Sequence, residues 1–314
     1  MAATPALEKN LKRVALMLVL LPLAAAAELH VVIVEGLGGT AEYATRFSEE
    51  VAKLELAAGT VTAAERVRVF TVVDATQANI LAYFATLSAA VSAEDRVVVY
   101  LIGHGSYDGY DYKFNLPGPD LTGEQLAELL EALPANNQLL VNTSSASGAT
   151  LERLTDDARV VITATRSGSE RNAARFGSSF VAALEDPAAD INKNNAISAQ
   201  EAFDYAVRQV TDYFEYRGQL ATEHPQLKGK RAARFTLARL RIPEPAGDDP
   251  ELGLLFEQRD RIDGRIEELQ LRKDELATDE YYAQLQTLLL ELARVGDRID
   301  LLDEAEESAP GDAQ

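Results

Sequence analysis

The sequence predicts an α/β protein: a mostly parallel sheet covered by helices on both faces, followed by a C-terminal α-helical hairpin. Three observations carry this. Continuous apolar runs alternate with stretches of helical spacing across residues 28–241, the signature of βαβ crossovers with a sheet buried on both sides. Several of those runs end in Gly- and Ser-rich segments, where open parallel sheets seat ligands. Beyond Pro243 and Pro245 the pattern changes to a heptad repeat.

The first strand is HVVIVEG (30–36), and TAEYATRFSEEVAKLEL (40–56) follows with helical spacing. RVRVFTVVD (66–74) is the second strand and ANILAYFATLSAAV (78–91) a helix. RVVVYLIG (96–103) is the third strand. TGEQLAELLEAL (122–133) opens with Thr122 and Gln125 in capping-box spacing. QLLVN (138–142) and RVVITAT (159–165) are the fourth and fifth strands, and FGSSFVAALED (176–186) is a helix. A linker spans 242–251. The hairpin spans 252–303, with helices over 252–276 and 280–303. Leu285, Leu292 and Ile299 repeat every seven residues, as do Leu288, Val295 and Leu302, which gives an a/d seam. Leu255, Ile262, Leu269 and Leu276 give the first helix a matching stripe. Residues 304–314 read as a disordered tail.

The N-terminus is read as a signal peptide over residues 1–27. Lys9, Lys12 and Arg13 precede an apolar run from Val14 to Leu23, and Ala25-Ala26-Ala27 offers a small-residue cleavage site before Glu28. The alternative is an uncleaved anchor. In either case the body of the protein is expected to be periplasmic or secreted, with no stable span once the leader is removed. The chain has no cysteine, which excludes disulfides and Cys-based zinc sites. Its net charge of -20 argues against nucleic acid as a partner, since phosphate binding needs a basic surface. Residues 242–314 hold 21 acidic and 7 basic side chains. The basic run KGKRAARFTLARLR (228–241) is expected to neutralise that acidity in cis. A protein partner, or self-association, is expected at the hairpin.

Two strand ends carry the chemistry. His104, one of three histidines, stands between Gly103 and Gly105 in VVVYLIGHGSYDG, the place of a general base beside an unhindered backbone N–H. The next strand ends in NTSSASGAT, a small-residue turn suited to a nucleophile. Gly36, Gly38 and Ala41 imitate a dinucleotide fingerprint, but the acidic residue it needs lies too far on, at Asp74. Asn142-Thr143-Ser144 forms a glycosylation sequon at a buried strand end. A third pattern, DINKNNAISAQE (190–201), fits a calcium loop. Asp190, Asn192, Asn194, Ala196 through its carbonyl, Ser198 and Glu201 stand at the ligand positions, with helical flanks. The plainer alternative is an Asn-rich helix cap.

On the residues GHG, SASG and VVITATRSGSE, roughly 29–185 resembles the caspase-like peptidases, most closely the legumain-type C13 branch. The resemblance implies a caspase-like three-layer sandwich. It implies His104 as the base, residue 145 as the nucleophile position, and Gly105 with the amide of residue 145 as the oxyanion hole. It also implies Arg166, Ser167 and Glu170 at the specificity pocket. The family's nucleophile turn reads Cys-x-Ser-Gly; here it is Ser145-Ala146-Ser147-Gly148, or Ser144 if the offset shifts by one. A thiol ionises readily, whereas a serine hydroxyl needs an oriented base. Asp108, four residues from His104, is a candidate orienter. Two readings follow. One is a pseudo-peptidase serving as a binding or scaffold module; the other is a peptidase or hydrolase working through Ser145 and His104.

Overall fold

The structure, a computed structural model, describes residues 27–240, 250–271, 273 and 276–307. Nearly all of the expected leader and linker, and residues 308–314, lie outside them.

Six strands form the central sheet: β1 (Leu29–Glu35), β2 (Val67–Phe70), β3 (Arg96–Ile102), β7 (Asn137–Asn142), β8 (Arg159–Thr163) and β10 (Gln226–Lys228). Their order is β10-β8-β7-β3-β1-β2, all parallel except the edge strand β10. β1, β3, β7 and β8 are Val/Ile/Leu runs buried along almost their whole length. That is why they lack alternation: both faces are covered. One face packs on α1 (Ala41–Gly59), α5 (Phe176–Ala183) and α6 (Ala199–Tyr216). The other packs on α2 (Gln77–Ala90), α3 (Gly123–Glu131) and the short α4 (Leu151–Leu154). The result is the expected three-layer α/β sandwich. Thr122 and Gln125 make the reciprocal cap of α3.

Two small sheets were not legible in the sequence. β4 (Gly105–Tyr107), β5 (Tyr112–Phe114) and β6 (Leu121–Thr122) form an antiparallel flap directly after His104. β9 (Ala196–Ser198) pairs antiparallel with β11 (Thr236–Arg239), so the basic run 228–241 contains a short strand. The second strand, expected to reach residue 74, ends at Phe70. Asp74 accepts the Thr71 N–H at 2.9 Å and pairs with Arg68 at 2.5 Å, closing a turn instead.

α7 (Pro250–Leu271) and α8 (Thr278–Glu307) form the hairpin, and α8 continues four residues into the expected tail. Leu252, Ile262, Ile266 and Leu269 meet Tyr281, Leu288, Val295 and Ile299 in a core of their own, with Leu285, Leu292 and Leu302 packed beside it. Arg265–Glu291 (3.0 Å) and Arg298–Glu251 (2.8 Å) tie the two helices at the surface. The hairpin meets the sandwich at a cleft of ≈ 490 Å³ lined by Leu29 and Arg96, the first residues of β1 and β3, and by Ile266 and Leu292 of the hairpin. It therefore sits at the amino ends of the strands, opposite His104. Among the described residues no helix is long and apolar enough to cross a membrane.

Candidate functional site

His104 follows β3 directly, and its loop is pinned by the Asn115 N–H on its carbonyl at 3.0 Å. The imidazole Nε2 lies 3.2 Å from the Gly38 carbonyl. A carbonyl only accepts, so this contact assigns the proton to Nε2 and leaves Nδ1 as the bare acceptor. The ring is wedged edge-on against Tyr43 and Phe47, at centroid distances of 4.7 and 5.1 Å. Burial holds the imidazole below its ordinary pKa; the Gly38 bond opposes this and the Arg46 charge adds to it. The neutral form, which can accept a proton, is thereby favoured.

Asp108 is not the orienter. Its carboxylate accepts the Tyr110 and Asp111 N–H groups at 3.0 Å each and pairs with Lys113 at 3.2 Å. β4 carries it away from the imidazole at about 3.3 Å per residue. The ring is held by a backbone carbonyl and two aromatic edges.

The turn after β7 separates its serines. Ser144 Oγ donates to Asn142 Oδ1 at 2.8 Å and lies 2.6 Å from the buried Tyr112 hydroxyl, whose pKa burial pushes up to about 12. Ser147 Oγ lies 3.3 Å from Thr165 Oγ1. Ser145 Oγ alone of the three makes no hydrogen bond among the described residues, which favours residue 145 over 144 as the reactive position. The next residue, Ala146, is held left-handed at φ 58° with its N–H on the Glu170 carbonyl at 2.8 Å. Gly105 lies so close to this turn that a Cβ there would stand 2.5 Å from Ser145 O and 2.6 Å from Ser144 Oγ. At Gly148 a Cβ would lie 2.1 Å from Ser167 N. The two glycines let three backbone segments converge.

Glu170 is a clamp. Its carboxylate accepts the Arg166 N–H (3.0 Å) and the His224 N–H (3.1 Å), pairs with Arg166 Nε (3.0 Å) and meets His224 Nδ1 (2.6 Å). Arg166 is largely exposed beside it, and the Ser167 hydroxyl bonds to Ser169. The three residues expected at the specificity pocket are thus neighbours, but Glu170 is already occupied. Arg46 went unnoticed in the sequence. It stacks over Tyr43 and Phe47, with its guanidinium carbon 4.7 and 5.1 Å from the ring centroids, and pairs at 3.6 Å with the buried Glu50. The spacing 43, 46, 47, 50 marks one helix face and could have drawn attention to it.

Residues 59–219 match the model of the peptidase C13 family. The chain belongs to the peptidase C13 family. Among solved structures, the crystal structure of a Geobacter sulfurreducens protein is similar at 13% identity and a TM-score of 0.46, covering 68% of this chain and 100% of that one. No curated protein matches.

The chain has no cysteine, so residue 145 of this turn offers a hydroxyl and not a thiol. Outside the matched catalytic elements, though within the C13 span, lies the loop 190–201. Asp190 accepts the Asn194 and Asn195 N–H groups at 3.1 and 2.9 Å, and Asn194 Oδ1 accepts from Ala196 at 2.9 Å. Asn192 Oδ1 also accepts from Asn194, at 3.0 Å. Glu201 accepts from Ile191, Asn192 and both donors of Ser198, closing a reciprocal cap on α6. Lys193 and Asn195 are left-handed, at φ 60° and 58°. Asn195 at the sixth position adopts the bend usually given to Gly. The loop thus gathers oxygen acceptors on a tight bend, each bonded to a donor of the loop itself, while Glu201 also caps the helix. Among the described residues no group of three or more His, Asp or Glu side chains gathers as a metal site. Two carboxylates with amide and carbonyl oxygens are what this loop offers.

Proposed function

We propose that the chain is a C13 pseudo-peptidase: a binding or scaffold module, working outside the cytoplasm, that keeps the family's fold without cleaving peptides. The state of the His104–Ser145 pair carries this reading. A serine nucleophile needs a hydrogen-bonded base, itself oriented by a third group. Here the base is tied to Gly38 and packed by Tyr43 and Phe47, and the carboxylate of Asp108, four residues on in the sequence, is engaged elsewhere. No hydrogen bond joins His104 to Ser145 among the described residues. The test is direct. The purified protein should leave peptides with Asn, Asp or basic residues intact, and should not react with a fluorophosphonate. Ser145→Cys should restore thiol-dependent turnover.

One observation favours a second reading, a serine hydrolase: Ser145 has the one uncommitted hydroxyl of the turn. Fluorophosphonate labelling of Ser145 that disappears in His104→Ala would establish it and end the pseudo-peptidase proposal.

Calcium at residues 190–201 would be a structural cofactor of this module. Asp190 and Glu201 supply carboxylates, Asn192, Asn194 and Ser198 polar oxygens, and Ala196 its carbonyl. With two carboxylates the affinity belongs to the weak extracellular class, a Kd of about 10⁻⁴–10⁻³ M. At ten times Kd, calcium would stabilise the fold by about 1.4 kcal/mol. The gain should vanish in Glu201→Gln; a melting temperature indifferent to millimolar calcium would reduce the loop to a helix cap. The hairpin is the proposed contact for a protein partner or a second copy, because α8 exposes Tyr282, Leu289, Leu290 and Leu301 away from its seam.

A further inference from the structure

The amino end of β1 holds a buried carboxylate whose partners are nearly all neutral. Asp95, only 8% exposed, sits in the turn before β3. Its Oδ2 accepts the Ser92 N–H (2.7 Å) and the Ser92 hydroxyl (2.9 Å). Its Oδ1 accepts one bond, from the backbone N–H of Glu28 at 2.7 Å. No cation forms an ion pair with it among the described residues. Arg66 is near, but its guanidinium is taken by the Glu28 and Glu65 carboxylates. His30 on β1 also faces it, yet burial keeps that imidazole below its ordinary pKa and so neutral near pH 7. Burial works against this charge, but the Ser92 and Glu28 N–H groups and the Ser92 hydroxyl outweigh it and hold the carboxyl below its ordinary pKa, with no cation completing the site.

The atom that touches Asp95 is the nitrogen following Ala27. Ala25-Ala26-Ala27 is the small-residue segment read as a cleavage site. Ala27 and Glu28 are both exposed, and β1 begins at the next residue. The scissile bond therefore lies just outside the ladder, accessible to a peptidase, while its nitrogen already rests on Asp95.

We propose that the Ala27–Glu28 bond is a processing site, and that its hydrolysis creates an α-ammonium which Asp95 receives as an ion pair, locking β1 into the sheet. The bookkeeping of atoms is simple. Water adds across the amide, the C–N bond breaks, Ala27 leaves as a carboxylate, and the Glu28 nitrogen takes up protons to become –NH₃⁺. A hydrogen bond from a neutral N–H to a carboxylate becomes an ion pair in which donor and acceptor both carry charge. β1 lies between β3 and β2, and Glu28 O also accepts the Arg96 N–H at 2.8 Å. The new charge thus fastens the junction of β1 and β3. Cleavage one residue earlier would move the charge about 3.5 Å along the chain and leave a neutral Glu28 N–H on the carboxylate. The proposal rests on removal of the leader, but the docking can be tested whatever enzyme removes it.

The full chain from Glu28 to Gln314 is prepared by cutting a fusion protein so that Glu28 is the native first residue. It is compared with chains beginning at Ala26 or Ala27, and with the Glu28 chain acetylated at its amine. The Glu28 chain should melt higher than all three near pH 7. Its α-amine, followed by NMR, should titrate about one unit above the 7.7–8.0 of a free terminus, a tenfold tighter hold on the proton. An amine with a raised folded pKa stabilises fully below its unfolded pKa, so the melting advantage should fade as pH rises through the folded value. Asp95→Asn should return the amine to the free range and erase the difference. An amine titrating at 7.7–8.0, or equal melting of the Glu28 and acetylated chains, overturns the docking. Should Asp95→Asn fail to fold, the acetylated comparison still decides it. A secreted protein whose mass shows a first residue other than Glu28 overturns the processing site while leaving the docking result standing on its own.

Discussion

Gly148 is where the geometry of the nucleophile turn makes its sharpest demand. An added Cβ would lie 2.1 Å from Ser167 N, 2.2 Å from Arg166 C and 2.5 Å from Thr165 O. All three are backbone atoms, so no side-chain rotation can relieve the contact. Ordinary van der Waals separation would require the 145–148 turn and the 165–167 segment to part by more than 1 Å. Over-packing of this sort costs about 3 kcal/mol, the upper end of its usual range, because the obstacle is main chain. For a domain of some 200 residues that is a fall in Tm of about 6–12 °C. The same motion would pull on the Ala146 N–H bond to Glu170 and so disturb residue 145. Gly296, in α8, is the control: nothing lies within 4 Å of its missing Cβ. There alanine should be neutral or stabilising by roughly 0.5–1 kcal/mol. Thermal unfolding followed by circular dichroism at 222 nm compares the two. If Gly148→Ala melts within about 2 °C of the parent, the two segments are not jammed together and the account of the turn is wrong.

Two further outcomes are expected. Burial raises the pKa of Glu50, despite its bond from Ser178 and the nearby Arg46 charge. Its folded pKa exceeds the unfolded one, so the folded state holds more protons, and the stability it contributes is lost as pH rises through the folded value. Glu50→Gln should therefore gain on the parent as pH rises from acid toward neutrality; parallel stability–pH curves would exclude this. Deleting residues 246–314 should leave 28–241 folded, because the hairpin has its own core, and should remove any association seen by light scattering; an unfolded or aggregating product would make the hairpin part of the sandwich.

The long strands were readable because a sheet buried on both faces demands uninterrupted apolar runs, and β1, β3, β7 and β8 supply them. The flap β4–β6 was not, since its strands are two or three residues long and their pairing depends on turns rather than hydrophobicity. β11 was hidden by its arginine-rich surroundings, which read as a charge run. At the site, His104 was found because a histidine between glycines at a strand end is conspicuous. Asp108 is close to His104 in sequence but not in space, because the extended β4 between them separates what it joins. Arg46 is the converse case: it lies on a helix some 60 positions before His104, stacked on the Tyr43 and Phe47 rings that pack against the imidazole, and only folding brings them together.

The hairpin touches the amino ends of β1 and β3, while His104 and Ser145 stand beyond the carboxyl ends. Seven residues of β3 at about 3.3 Å each separate the two regions by roughly 20 Å. A protein held by the hairpin would thus leave the His104–Ser145 end open, and a peptide at that end would not displace that protein. Each would be confined near the other, at an effective concentration that short tethers bring to the millimolar range. In that arrangement even a weak site at His104 and Ser145 would be well filled by segments of whatever the hairpin holds.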